Sequence, residues 1–290
     1  MRIVYHLGAH FTDEERLLKS LLKDRDILTQ HAVSVPGPKR YRHLLRDTVK
    51  ELKGGQADRD TQALILDKIM EEALADRLIL SWDSFLSLPP WVLDKKLYPV
   101  AGERVQAFNQ IFPEIEAEFF LAIRNPATFL PMLLQRIEDK TYDDFIGATD
   151  LFTLRWSETL ERIMKLSPGV PLTVWCDEDT PLIWPEVLRA VADLPEDVAL
   201  RGDDDLLATL MAPEGLTRLQ GYLANHPPGS VAQRRKIVTA FLEKFALPER
   251  LEAEVEMPGW TQEVVDALSQ LYAQDVARIA QMPGVRFIAP

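Results

Sequence analysis

An α/β fold on a parallel sheet, with helices on both faces and a helical C-terminal cap, is predicted by three features of the 290-residue sequence. First, four short apolar runs stand apart: RIVYHL (2–7), RLILSW (77–82), EFFLAI (118–123) and PLTVWC (171–176). Helical patterns fill most of the chain between them, and strand–helix alternation is the mark of a parallel sheet. Second, the runs are almost continuously hydrophobic, as strands covered on both faces are. Third, from about Leu200 the pattern is helical. The expected core is a three-layer arrangement with about four to five strands.

Taken in order, the helical patterns run over 12–29, 39–53, 59–76, 103–111, 126–138, 151–166 and 184–193, with Gly54–Gly55 and Pro89–Pro90 punctuating loops. In the tail, APEGLTRLQGYLA, VAQRRKIVTAFLEKF and TQEVVDALSQLYAQDVARIAQ are broken by NHPPG and EMPGW. Val231, Ile237, Val238, Phe241, Leu242 and Phe245 keep to one helical face of the second pattern. The expected organisation is an α/β core over 1–199 and a helical extension over 200–290 packed on it, one structural domain overall.

Composition narrows the function. Hydrophobic residues at 47% and charged residues at 27% suit a globular protein with a sizeable core. The net charge of −12 argues against a nucleic-acid partner, which needs a concentrated basic face. It also disfavours anionic ligands unless a local basic pocket overrides the field. No apolar run approaches the roughly 20 residues of a membrane span, and no basic-then-apolar leader opens the chain, so the expected compartment is the cytoplasm. The single cysteine, Cys176, excludes an internal disulfide and reads as a buried small hydrophobe. There is no GxGxxG, GxSxG or GK(S/T) phosphate loop.

Four stretches carry candidate chemistry. HLGAHFTDEERLL (6–18) follows a strand and opens a helix, the geometry of a phosphate cradle. Its turn holds Asp13, Glu14 and Glu15, and TDEE (12–15) also fits a capping box in which Thr12 and Glu15 satisfy the helix amides. The capping reading needs no ligand, and the carboxylates oppose a phosphate. His6, His10, Asp13, Glu14 and Asp83 could be assembled as metal ligands, but their spacing matches no established metal pattern, so no metal is assigned. His6 reads as a core histidine. In LAIRNPATFLPMLLQR (121–136), Arg124 stands at a strand's carboxyl edge, where it is either an anion-binding fork or the partner of a carboxylate. Asp83, in LILSWDSFLS (79–88), is either a general base or the cap of a helical turn. The acids of CDEDTP (176–181) are expected to cap the next helix. QRRKI (233–237), with Arg234, Arg235 and Lys236, is either a solvated helix face or a basic element that closes over an anion.

Together these residues resemble the sulfotransferase family, which has the nucleoside-kinase-like P-loop fold, and in particular bacterial members that open with H-x-G-x-x-K-T-G-T-(T/S)-x-L. His6, Gly8, Thr12 and Leu17 match; the lysine is Phe11, the glycine Asp13, and the next two hydroxyl residues Glu14 and Glu15. The resemblance implies that Gly8 and Thr12 would lie against the 5′-phosphosulfate of 3′-phosphoadenosine 5′-phosphosulfate. Arg124, Asn125 and Pro126 match the motif that grips the donor's 3′-phosphate, but its serine is Met132. Asp83 stands where a catalytic glutamate would, and His10 is a second candidate catalytic group. Arg234, Arg235 or Lys236 would have to replace the lost lysine. The resemblance runs in order over roughly residues 1–195. It implies sulfuryl transfer to a hydroxyl on a small-molecule or saccharide acceptor if activity persists, and otherwise a non-catalytic binding or interaction protein on the same scaffold.

Overall fold

The computed structural model describes residues 1–72, 74–137, 140–251 and 257–290. Strand β1 (Arg2–His6) is followed by α1 (Arg16–Leu21), α2 (Arg25–Gln30), the short β2 (Val33–Ser34), α3 (Pro38–Leu52), α4 (Arg59–Ile69) and β3 (Arg77–Ser81). Next come α5 (Ala101–Asn109), β4 (Glu116–Ile123), α6 (Pro126–Arg136), α7 (Tyr142–Ile146), α8 (Trp156–Leu166) and β5 (Leu172–Cys176). The remainder holds α9 (Thr180–Ala192), α10 (Leu207–Leu210), α11 (Pro213–Asn225), α12 (Val231–Phe245), α13 (Pro248–Leu251), α14 (Gln262–Ile279) and β6 (Val285–Ile288).

All six strands are parallel in one sheet ordered β2-β3-β1-β4-β5-β6. Period-two geometry sends alternate side chains of each strand to opposite faces. Ile3 and Tyr5 of β1 join Tyr41, Leu45, Phe108, Phe129 and Trp156 in the larger core beneath α3, α5, α6 and α8. Val4, with Phe120 of β4 and Trp175 of β5, faces Leu17, Leu18 and Leu21 of α1 and Trp184, Val187 and Leu188 of α9. Both faces are thus apolar, which is why the runs are continuous in the sequence. A satellite core of Leu207, Met211, Leu219 and Val238 holds α10, α11 and α12 together.

Among the described residues the sheet has six strands, two more than the apolar runs marked. β2 is only two residues long, and β6 (VRFI) is a half-exposed edge strand directly after a long helix. β6 pairs with β5, so the C-terminal segment, read from sequence as helical, also completes the sheet. The helix expected over 12–29 begins at Arg16, that over 59–76 ends at Ile69, and that over 184–193 begins earlier, at Thr180. Positions 73 and 138, inside two of the expected helices, lie outside the described residues. α14 packs against α6 and α8, where its buried Asp275 accepts from the Ser157 amide at 3.1 Å and hydroxyl at 2.5 Å. Among the described residues, no helix is long and apolar enough to cross a membrane.

From β1 the chain moves to one side of the sheet, and from β3 it crosses to the other. The carboxyl ends of β1 and β3 therefore flank a topological switch point, where open α/β sheets place their ligands.

Candidate functional site

A cavity of about 420 Å³ opens at that point, walled by the β1–α1 loop, the end of β3, Arg42 of α3 and Arg136 of α6. The loop first continues along β4: Leu7 donates to the Phe120 carbonyl at 2.8 Å, Ala9 donates to the Ala122 carbonyl at 3.0 Å, and Ala122 donates to Gly8 at 2.8 Å. Gly8 has φ +96° and lies so close to β3 that a Cβ there would stand 3.0 Å from Asp83 Cα. Both the conformation and the approach require glycine. Phe11, Glu14 and Glu15 then take left-handed backbone, with φ of 62°, 51° and 66°. Such non-glycine residues persist only where surrounding contacts hold them.

The holding contacts are specific. Thr12 Oγ1 donates to the Ala9 carbonyl at 2.8 Å, and Arg124 Nη1 donates to the Phe11 carbonyl at 2.9 Å. The Phe11 ring lies edge-on to Phe129, at a centroid distance of 6.5 Å. Asp13 Oδ1 accepts from the Leu17 amide at 2.6 Å and caps α1. The expected Thr12–Glu15 capping box is therefore absent: left-handed Glu14 and Glu15 delay the helix to Arg16, and Thr12 turns back onto its own loop. Glu15 instead pairs with Arg42 at 2.7 Å, and Arg42 also donates to the Ser81 carbonyl.

Two histidines belong to the cavity wall. His6 is 2% exposed, stacks on Trp175 and exchanges a 2.8 Å hydrogen bond between Nδ1 and Ser81 Oγ. His10 is 3% exposed, with Nδ1 2.7 Å from the Tyr98 hydroxyl, which also accepts from the His10 amide at 3.2 Å. Tyr98 has one proton to give, and burial pushes its pKa up, so it stays protonated. If it donates to Nδ1 while accepting the amide, the Tyr98 hydroxyl, the His10 amide and Nδ1 are all satisfied, and His10 carries its ring proton on Nε2. Burial pushes both imidazoles below their ordinary pKa, against the opposing pull of Asp83 and, for His6, Asp13. Both are neutral near pH 7. The Nε2 atoms of both are buried and have no hydrogen-bond partner among the described residues. Asp83 stands exposed on the cavity wall, with Oδ1 accepting from the Ser84 hydroxyl at 3.1 Å.

The motif at the end of β4 is engaged elsewhere. Arg124 Nη1 lies 3.3 Å from Asp177 Oδ2, with both side chains 17% exposed. The carboxylate partner of Arg124 is Asp177 and not a member of the 13–15 group. Burial pushes Asp177 up to about 7, with Arg124 opposing and Glu178 adding to the rise. Asn125 caps α6 through Oδ1, which accepts from the Ala127 amide at 3.0 Å, and Nδ2 donates to Ser269 of α14 at 2.8 Å. Half-buried Met132 offers no donor at the position of the family's serine. The acids of 177–179 do not cap α9 through their side chains as expected: Asp177 takes Arg124, and Glu178 accepts from the Asn125 amide and the Tyr272 hydroxyl.

The structure thus gathers Gly8, His10 and Asp83 around one cavity, while Arg124 and Asn125 are tied down beside it. The basic cluster stands apart. Arg234 pairs with Asp204 at 2.9 Å and Arg235 with Glu186 at 3.0 Å, and α12 packs on α9, so none of Arg234, Arg235 and exposed Lys236 lines this cavity. Among the described residues, no group of three or more His, Cys, Asp or Glu side chains is placed to hold a metal ion. Sequence reasoning missed Arg42, Tyr98 and Arg136, which reach the site from distant elements and carry no local signal. It also misjudged Asp177, whose acidic turn looked like a helix start.

No family model matches the chain, and no curated protein matches it. Among solved structures, it is similar to a sulfotransferase from Alicyclobacillus acidocaldarius, with 13% identity and a TM-score of 0.41 over 82% of this chain and 97% of that one.

Proposed function

We propose that this chain is a divergent sulfotransferase-like protein whose nucleotide-donor site is closed, and that its crevice binds a small polar molecule instead. The observation that carries this reading is the double engagement of Arg124 by Asp177 and the Phe11 carbonyl, which leaves the arginine unavailable to a 3′-phosphate. Charge supports it. Asp13, Glu14, Glu15 and Asp83 line the cavity against only Arg42 and Arg136. Each unit of like charge at 4 Å costs about 1 kcal/mol in water and about 4 kcal/mol at an effective dielectric near 20. A phosphosulfate would meet several such encounters, with Phe11 where the family's lysine offsets them.

A catalytic version is the second reading, favoured by the placing of Asp83 and a neutral His10 on one cavity wall. It is sulfuryl transfer from 3′-phosphoadenosine 5′-phosphosulfate to a hydroxyl of a small-molecule or saccharide acceptor, with Asp83 as base.

Calorimetric titration with 3′-phosphoadenosine 5′-phosphate at low salt separates the two. The wild type should give no binding heat. A Glu14→Asn, Glu15→Asn, Asp177→Asn variant should gain measurable affinity, because it removes two loop carboxylates, frees Arg42 and releases Arg124. Asparagine tolerates the left-handed backbone at 14 and 15. Micromolar binding by the wild type would sink the closed-site reading and lead directly to sulfotransferase assays.

A further inference from the structure

Where both partners of an ion pair are mostly buried, the pair is hydrogen-bonded in this chain, with one exception among the described residues. Arg189 holds Asp203 through two bonds of 2.9 and 2.7 Å, Arg234 donates to Asp204 at 2.9 Å, and Arg235 donates to Glu186 at 3.0 Å. Arg124 and Asp177 differ. Their atoms stand 3.3 Å apart with both side chains 17% exposed, yet Arg124 directs its hydrogen bonds to the Phe11 carbonyl and the Thr128 hydroxyl. Among the described residues, no donor is hydrogen-bonded to the Asp177 carboxyl. A buried ion pair offsets its desolvation only when the geometry is good and further hydrogen bonds meet the remaining lone pairs. The charged groups that act on Asp177 are Arg124 at the end of β4, Arg16 of α1, Asp13 of the β1–α1 loop and the neighbouring Glu178, two of each sign. An ionised Asp177 is therefore better accommodated in water, and a protonated one where it stands.

Asp177 opens the turn between β5 and α9, and Glu178 fastens the same turn. Glu178 Oε1 accepts from the Asn125 amide at 2.7 Å and Oε2 from the Tyr272 hydroxyl of α14 at 3.0 Å. Arg124 in turn holds the carbonyl of left-handed Phe11. We propose that this turn is a proton-linked latch on Arg124, shut while Asp177 is protonated and swinging out to solvent as Asp177 ionises. The latch rests on the closed-site reading and adds a condition to it: closure at Arg124 is tightest at acid pH. An exposed salt bridge behaves in the opposite way and weakens on acidification. Burial pushes Asp177 up to about 7 when the latch is shut, against 3.8 for the solvated group. Between pH 5.5 and pH 8 the opening equilibrium therefore rises about thirtyfold. Opening uncovers Arg124 but leaves the loop acids in place, so it does not by itself admit a nucleotide.

Hydrogen exchange of the Asn125 amide reads the latch, because its acceptor rides on the same turn. Its protection, corrected for the intrinsic exchange rate, should fall about thirtyfold from pH 5.5 to pH 8 in the wild type. That exchange should be insensitive to urea up to about 1 M, the mark of a local opening that exposes little surface. In Asp177→Asn the protection should change by less than about threefold over the same range, which sets aside the titration of His6, His10 and Glu178. Wild-type protection that ignores pH would overturn the latch. So would exchange that follows urea as the core strands do, or an undiminished pH dependence in Asp177→Asn. The wild-type measurement decides without the variant. Each of these failures leaves the closed-site reading intact, whereas tight binding of 3′-phosphoadenosine 5′-phosphate by the wild type would overturn the reading beneath.

Discussion

Asp177 is the residue whose replacement tests the electrostatics around Arg124 most directly. Its carboxyl is pushed up to about 7 because burial outweighs the attraction of Arg124. Its folded-state pKa therefore lies well above its unfolded value near 3.8, and between the two the folded protein binds the extra proton. Stability from this group is present at low pH and is lost as pH rises toward and through 7. From pH 8 down to 5.5, about 1.5 pH units lie below the folded pKa, and one unit is worth 1.36 kcal/mol, so the group contributes about 2 kcal/mol over that span. His6 and His10 act in the opposite sense. Their folded pKa values are depressed, so they remove stability as pH falls below the unfolded value of 6.5. The wild-type profile mixes the three groups, and a single substitution separates them. Urea unfolding of wild type and Asp177→Asn at pH 5.5 and pH 8 should show their difference in unfolding free energy moving by about 2 kcal/mol, in favour of the wild type at the acid end. Parallel profiles would mean that Asp177 is not held protonated near neutrality, and the account of a desolvated carboxyl beside Arg124 would fall.

Two further substitutions examine the loop that builds the cavity. Gly8→Ala should lower unfolding free energy by at least about 2 kcal/mol, because a left-handed residue costs about 1–2 kcal/mol and the new methyl presses on the Asp83 backbone at 3.0 Å; urea midpoints at constant slope measure it. Asp13→Ala removes the 2.6 Å acceptor of the Leu17 amide and should cost about 1 kcal/mol by the same assay, whereas Thr12→Ala would cost the same only if the helix were capped from Thr12.

The core strands were readable because burial on both faces leaves a plain mark: Val4 and Tyr5 point to opposite layers, and both must be apolar. The edges of the sheet were not readable for the same reason. Val33–Ser34 is too short to form a run, and the side chains of Val285–Ile288 are half-exposed or exposed, so neither segment resembles a strand covered on both faces. The capping box failed at a particular step. The Thr12-x-x-Glu15 pattern presumes that helical backbone begins directly after the cap, and positive φ at Glu14 and Glu15 breaks that presumption while leaving the letters unchanged. Arg124 was recognisable as a strand-end arginine, but its choice of Asp177 depends on β4 and β5 lying side by side. That is a fact of topology and is not visible in either motif alone.

On the closed-site reading proposed above, the β1–α1 loop makes internally the contacts that an anion would make. Asp13 stands in as the acceptor for a helix-terminal amide, and the Phe11 carbonyl occupies Arg124. The aromatic ring of Phe11 packs edge-on to Phe129. These contacts act together, since on that reading an incoming phosphate would have to displace a carboxylate, draw Arg124 away from Asp177 and the Phe11 carbonyl, and bind without a lysine at once. The loop's position is held by β4 pairing through Ala9 and by the Gly8–Asp83 approach, neither of which depends on a ligand. The same reasoning explains why the nucleotide titration needs a triple variant. Relief of any one obstacle leaves the others in place, so affinity should emerge only when the loop acids and the Arg124 partner are removed in the same molecule.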